Sequence, residues 1–292
     1  MPSLIDIRRR IRSVKNTQQI TKAMKMVSAA KLRRAQEKAI AARPYAKMLG
    51  QVLANVAEAA GQSSDGGEQP LLAVRPGNRI LCVVVTADSG LAGGFNANLI
   101  KLAHQFATSH KDAELSFILI GRKGRDYFRK RVDGLKAAIT GEHTDMSRKL
   151  TFEDAEKVAN VIIEKFTHAE VDAVYVFSNE FKSVMTPHLS SDRLLPIELP
   201  KGGASQTTDY IYEQKPEVLL GTLLPRYVKL RVYRTLLESI AAEHAARMTA
   251  MDAATSNANE VIDKLTLHMN RVRQATITRE IIEIVSGAAA QG

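Results

Sequence analysis

Any chemistry in this chain of 292 residues would have to come from a few places, and the glycine loops are the first of them. Gly90-Leu-Ala-Gly93-Gly94 follows an apolar run and precedes a helical pattern, where a dinucleotide-binding turn would sit. Its spacing is not G-x-G-x-x-G, and no carboxylate ends the next apolar run to hold a ribose hydroxyl. Gly121-Arg-Lys-Gly124 lacks the Gly-Lys-Ser/Thr ending of a phosphate loop. Both are read as tight turns seating a helix on a sheet, with nucleotide binding as the alternative. The seven histidines, at 104, 110, 143, 168, 188, 244 and 268, show no metal spacing such as H-E-x-x-H. No nucleophile elbow is present. Cys82 is the sole cysteine, so no internal disulfide or dithiol switch can form, and its apolar neighbours from Ile80 to Val85 predict an inert, buried thiol. No catalytic residue, cofactor or metal is expected within the chain.

The elements around these loops are of two kinds. From Ser3 to about Glu58 there is one proline, Pro44, and after Pro225 neither proline nor glycine occurs until Gly287. As helices these stretches would be rods of roughly 80 and 90 Å. Leu4, Ile7, Ile11 and Val14 have a 3–4 spacing that resumes, after an interruption, at Ile20, Met24 and Val27. Ser3 is the expected N-cap, with Asp6 three residues on. On the second rod Tyr227, Leu230, Leu237, Ile240, Met248, Met251, Val261, Leu265, Val272, Ile281 and Ile284 include 3–4 spaced runs. Pro225 is expected to kink or restart that helix and Gly287 to cap it. Neither narrow stripe would hold a helix alone, so the two ends are predicted to bury their stripes on each other as an antiparallel coiled coil. Small and polar residues from Thr249 to Asn259 predict a thin seam there.

Between the rods, Arg79–Thr86, Leu115–Ile120 and Ala173–Ser178 read as buried strands, and Leu135–Thr140 as a short one. Asn96–Ser109, Arg122–Arg131 and Phe152–Thr167 read as helices, and Ser183–Leu189 with Leu194–Leu199 as edge strands around Ser190-Ser-Asp-Arg193. Alternating strands and helices predict a Rossmann-like α/β domain with a mostly parallel sheet. The predicted organisation is a coiled-coil helix over 1–60, an α/β domain over 77–200 and a second coiled-coil helix over 210–288. Residues 61–67 and 201–209 read as linkers. No apolar run of 18 residues spans a membrane, and the start lacks a signal-peptide core, which predicts a cytoplasmic chain.

Charge is uneven. The net charge of +10 arises in residues 1–50, where 13 Lys and Arg face only Asp6 and Glu37; the remaining residues carry 28 basic and 29 acidic side chains. Such a field favours an acidic partner, nucleic acid or protein, or else is a solvated helix face. Nucleic-acid binding lacks stacking aromatics, since Tyr45 is the only one in that rod.

Read together, several segments resemble the gamma subunit of rotary F-type ATP synthases. They are Asn16-Thr-Gln-Gln-Ile-Thr-Lys-Ala-Met24-Lys-Met-Val27-Ser-Ala, Gly90-Leu-Ala-Gly-Gly-Phe-Asn96, Leu224-Pro-Arg-Tyr-Val228, Arg247-Met-Thr-Ala-Met251 and Ile277-Thr-Arg-Glu280-Ile-Ile-Glu283-Ile-Val-Ser-Gly287-Ala-Ala-Ala290. The resemblance implies a non-catalytic central stalk turning inside a hexamer of alpha and beta subunits. It implies a foot beside the epsilon subunit and the c-ring, at the cytoplasmic face of a bacterial plasma membrane without insertion into it. Met24 and Lys25 would meet the acidic lever of beta, and Arg247, Gln274, Thr278 and Glu280 the loops of beta that catch the shaft. Ile277, Ile281, Ile284 and Val285 would form the bearing end. Met24 could instead be a seam residue, and Ile281 and Ile284 coiled-coil core. Light-regulated plastid members use a cysteine pair in an inserted loop, which this chain lacks, leaving regulation to epsilon.

Overall fold

The computed structural model describes residues 3–61, 69–148, 150–181, 187–198 and 213–289. The expected linkers over 62–67 and 201–209, the extended piece at 210–212 and the tail at 290–292 lie outside the described residues. The chain divides into two compact units, one of residues 1–29 with 247–292 and one of residues 30–246. Helix α1 (Leu4–Gly61) and helix α5 (Pro216–Ala289) each contribute to both.

The larger unit is built on strands β1 (Arg79–Val85), β2 (Glu114–Ile120), β3 (Ala137–His143), β4 (Ala173–Phe181) and β5 (Pro187–Leu195), in the order β3-β2-β1-β4-β5. The first four run parallel and β5 is antiparallel to β4. Helices α2 (Phe95–Ser109), α3 (Arg122–Phe128) and α4 (Phe152–Thr167) join them. Because side chains alternate along a strand, β1 feeds two cores. Leu81, Val83 and Val85 meet Val158 and Ile162 of α4, Leu53 and Val56 of α1, and Leu224, Val228 and Leu236 of α5. Ile80, Cys82 and Val84 face the other way, with Leu99 and Ala103 of α2 and Phe128. A sheet covered on both faces accounts for the unbroken apolar runs in β1 and β2.

Local chemistry sets the element ends. Thr151 and Asp154 form a reciprocal capping box that starts α4, and Ser3 with Asp6 does the same for α1. Asp172 accepts from Arg79 Nη2 at 2.7 Å, Nε at 2.9 Å and the backbone N–H at 3.0 Å, tying the start of β1 to β4. Gly121 has φ +90°, and a Cβ there would lie 2.1 Å from the Thr86 carbonyl oxygen. Gly124 donates its N–H to Thr86 Oγ1 at 2.9 Å. The Gly121–Gly124 turn therefore exists to bring α3 against β1.

Three local expectations are corrected. Ser190–Arg193 is no turn but part of β5, paired with β4 through Val176–Asp192 and Phe177–Ser191; a polar run suits an edge strand, where water takes the free ladder side. Residues 183–186 of the first expected edge strand lie outside the described residues, and the second ends at Leu195. Helix α5 does not restart at Pro225 and is not ended by Gly287 but runs on to Ala289. Pro225 comes ten residues in, where burial of Leu220, Leu224 and Val228 outweighs the loss of one backbone donor.

Candidate functional site

The smaller unit is an antiparallel helix pair. On α1 the positions 4, 7, 11, 14, 18, 21, 25 and 28, in alternating steps of three and four, are all buried or half-buried. The same steps continue through Leu32, Ala35, Ala39, Ala42, Ala46, Leu49, Leu53, Val56 and Ala60 in the larger unit. The opposing seam on α5 is Met251, Thr255, Ala258, Ile262, Leu265, Met269 and Val272. The heptad is thus unbroken, but its middle is polar. Gln18 Nε2 donates to Asn259 Oδ1. The hydroxyls of Thr21 and Thr255 lie 2.8 Å apart, and Lys25 Nζ donates to Asp252 Oδ1 at 2.5 Å. The paired numbers sum to 276 or 277, which makes the pair antiparallel.

The apolar stripe expected to resume at Ile20 and Val27 is corrected by this seam. Both are more than half exposed, while Thr21 and Ser28 are buried. Hydrophobicity marked the wrong face because these seam layers are hydrogen-bonded rather than greasy. The signal that could have found Gln18, Thr21, Lys25 and Ser28 is spacing alone, extended from Leu4 to Val14 without regard to polarity. The thin seam expected near Thr249–Asn259 matches Ala258, which is buried, and Thr255, which also donates to the Met251 carbonyl at 2.7 Å. Both Lys25 and Asp252 keep around half their surface in water, so their ion pair adds at most about 1 kcal/mol.

The pair register sets Leu4 opposite the turn around Arg273. Past that level α5 continues as a helix to Ala289. There Ile277, Ile281, Ile282, Ile284 and Val285 are 48, 54, 57, 71 and 62% exposed. Five large aliphatic side chains within nine residues are an uncovered apolar surface of the kind that marks an interaction site. Ile281 and Ile284 are therefore not coiled-coil core in this chain. Gln274, Thr278 and Glu280 are exposed on the same segment, with Thr278 Oγ1 donating to the Gln274 carbonyl at 2.9 Å. Met24 is half-buried beside the seam. Arg247 is 7% exposed and makes interactions within the chain. The structure brings Gln274, Ile277, Thr278, Glu280, Ile281, Ile284 and Val285 onto one stretch of helix. It leaves Lys25 in the polar part of the seam, Met24 beside it, and Arg247 buried one turn before Met251.

In the larger unit the place for a nucleotide would be the crevice beyond β1 and β4, where the strand order reverses. That crevice is filled by the chain itself: Ala87, Ala92 and Phe95 pack on Ala242 of α5, with Phe181 and Ala246 against them. The Gly90–Gly94 loop is the seat for α5. Leu91 and Gly93 take φ of 59° and 55° so that Ala92 turns inward. Cys82 lies fully buried, and burial pushes its thiol up to about 12, as an inert thiol requires. Among the described residues no group of three or more His, Cys, Asp or Glu is placed to hold a metal, and no helix is long and apolar enough to cross a membrane.

The family model described as ATP synthase matches residues 3–291. An ATP synthase gamma chain of Solibacter usitatus is 60% identical over 290 residues, covering 99% of each chain. One from Pelotomaculum thermopropionicum is 49% identical over 291 residues, again covering 99% of each. The fold is similar to a chain in the Euglena gracilis mitochondrial ATP synthase OSCP/F1/c-ring structure, with TM-score 0.65 at 18% identity, covering 99% of this chain and 94% of that one. It is also similar to a chain of the Tetrahymena thermophila central stalk/c-ring structure, with TM-score 0.59 at 23% identity, covering 80% of this chain and 99% of that one. With matches of this extent in sequence and a long-helix pair joined to a mixed α/β sheet in structure, the chain belongs to the gamma subunit family of ATP synthases.

Proposed function

We propose that the chain is the non-catalytic rotor of its ATP synthase, turning inside a ring of alpha and beta subunits and coupling proton flow through a c-ring to ATP synthesis. The observation that carries this reading is the bare apolar end of α5, from Ile277 to Val285, on a helix that outruns its partner. An exposed aliphatic segment on a helix suits a close-fitting sleeve that grips it by shape rather than by fixed hydrogen bonds, so it can rotate. A pair of unlike helices has no three-fold symmetry. It can therefore favour a different state in each of three beta subunits at once, and rotation changes which site binds tightly.

In this reading nucleotide chemistry belongs to beta. Gln274, Thr278 and Glu280 present polar groups on the shaft surface to the catching loops of beta. Arg247 joins them with the least open surface of the six, and Met24 and Lys25 meet the acidic lever of beta. The α/β unit is the foot that meets epsilon and the c-ring, and epsilon regulates ATPase activity through it. The complex lies on the cytoplasmic face of a bacterial plasma membrane, with this chain peripheral to it.

The test is ATP synthesis by the reconstituted complex in vesicles under an imposed proton gradient. Gln274→Ala combined with Glu280→Ala should lower synthesis by about tenfold or more while the complex still assembles. Reversing charge at Lys22 and Lys25 together should weaken coupling more than it weakens folding. Full coupling in the first variant would remove the catching role, and full coupling in the second would remove the basic pair.

A further inference from the structure

We propose that the groove between α2 and α3 of the larger unit docks an acidic, amphipathic helical segment of another subunit in the assembled complex. The groove is about 430 Å³ and is lined by Asn96, Ala97, Ile100, Lys101, His104, Lys123 and Tyr127. Its long wall follows one row of α2, from Asn96 to His104, about 12 Å at the helical rise. That length matches two turns of a second helix.

Charge selects the occupant. Every titratable group on the walls is a base or the phenol of Tyr127; no carboxylate lines the groove. Three arginines on α3 and just beyond it are paired within the chain: Arg122 by Asp145, Arg125 by Asp126 and Arg129 by Glu142. Lys123 and Lys101 have no ion-pair partner among the described residues. Lys101 and Lys123 line the groove together with a short apolar strip, Ala97 and Ile100. Such a strip takes apolar side chains at i and i+4, and the flanking lysines take carboxylates beside them.

Tyr127 fixes the far end. Its ring is met edge-on by His104 at 6.1 Å, and the Arg131 guanidinium covers it at 4.1 Å. The ring is thereby held as a rigid wall. The groove is open and none of its lysines is buried, so it lacks the enclosure and converging buried polar groups of a small-molecule pocket. A polypeptide is favoured over a free nucleotide. The contact is small, so it acts as an auxiliary dock within an assembly. The inference rests on the chain being part of an ATP synthase. It concerns the α/β unit alone, so its failure leaves the shaft reading untouched.

The test places a benzophenone amino acid at the exposed Ala97 position of the chain in the purified, intact complex. After irradiation the cross-linked peptide is sequenced. The expected product is a helical segment with Asp or Glu at three- and four-residue spacing, and Lys101→Glu with Lys123→Glu should cut its yield about tenfold or more. If that double variant fails to assemble, Lys101→Gln with Lys123→Gln should still cut the yield about threefold. The proposal is overturned by no cross-link, a cross-link to a neutral or basic segment or to lipid, or a yield insensitive to both double variants. Loss of the cross-link on adding ATP to the native chain, with direct ATP binding by calorimetry, would reassign the groove to a nucleotide.

Discussion

The two halves of α1 follow one heptad and end in different surroundings. In the second half Leu53, Val56 and Ala60 enter a core fed by a sheet, α4 and α5, and Leu53 and Val56 are 0 and 1% exposed. From Leu4 to Ser28 the same spacing meets one helix only, and most of its seam positions stay half-open, with polar pairs at Gln18, Thr21 and Lys25. Periodicity chooses the face, and the number of neighbours chooses the depth of burial. A half-open seam tolerates hydrogen-bonded pairs that a dry core would penalise.

This contrast can be tested by substitution. The largest effect is expected at Leu53→Ala, which should cost about 2–5 kcal/mol in denaturant unfolding because the cavity has no route to solvent. A cost below 1 kcal/mol would show that the larger unit is as loose as the smaller. Asp172→Ala comes next, at about 1.5–3 kcal/mol, for the loss of charge-assisted bonds from Arg79. The Arg79 guanidinium holds the Asp172 carboxyl below its ordinary range. The stability this supplies is complete above the ordinary carboxylate pKa, near 4, and is lost as pH falls through the lowered one. Acid unfolding of the native chain should therefore steepen below about pH 4, and in Asp172→Asn that component should vanish. An unchanged acid profile would remove the linkage.

Smaller effects belong to the helix pair. Leu265→Ala should cost about 1 kcal/mol, since its side chain is only partly buried. Thr21→Val with Thr255→Val should change stability by less than about 1 kcal/mol in either direction, because both partners leave together. A large loss would mean that this hydroxyl pair carries the seam. Ile281→Ser with Ile284→Ser should leave the unfolding of the isolated chain within about 0.5 kcal/mol, as exposed positions do. Assembly or coupling should suffer instead, and a destabilised chain would show that these residues are covered by the chain itself.

Much of this was legible in the residues. Apolar runs of six to eight located β1 and β2 to within a residue, since a strand buried on both faces has no other pattern. The pair Ser3–Asp6 announced the start of α1. Ile277, Ile281, Ile284 and Val285 could be singled out only through the family resemblance. Spacing alone equally permitted a coiled-coil core, and exposure separates the two. Ile20 and Val27 were misleading for the opposite reason: they are apolar and helically spaced, yet turned away from the seam.

Linear sequence determined where helix and strand would form, which thiol would be inert, and where the basic charge would gather, because these depend on local propensity, period and composition. It could not say which of two equally spaced faces is covered, or that Ala242 of a distant helix would fill the crevice beyond β1. It also could not show that Asn259, Thr255 and Asp252 would answer Gln18, Thr21 and Lys25 across more than two hundred residues of chain. Those depend on partners brought together by packing, and a polar side chain becomes a seam residue only when its hydrogen-bond partner arrives.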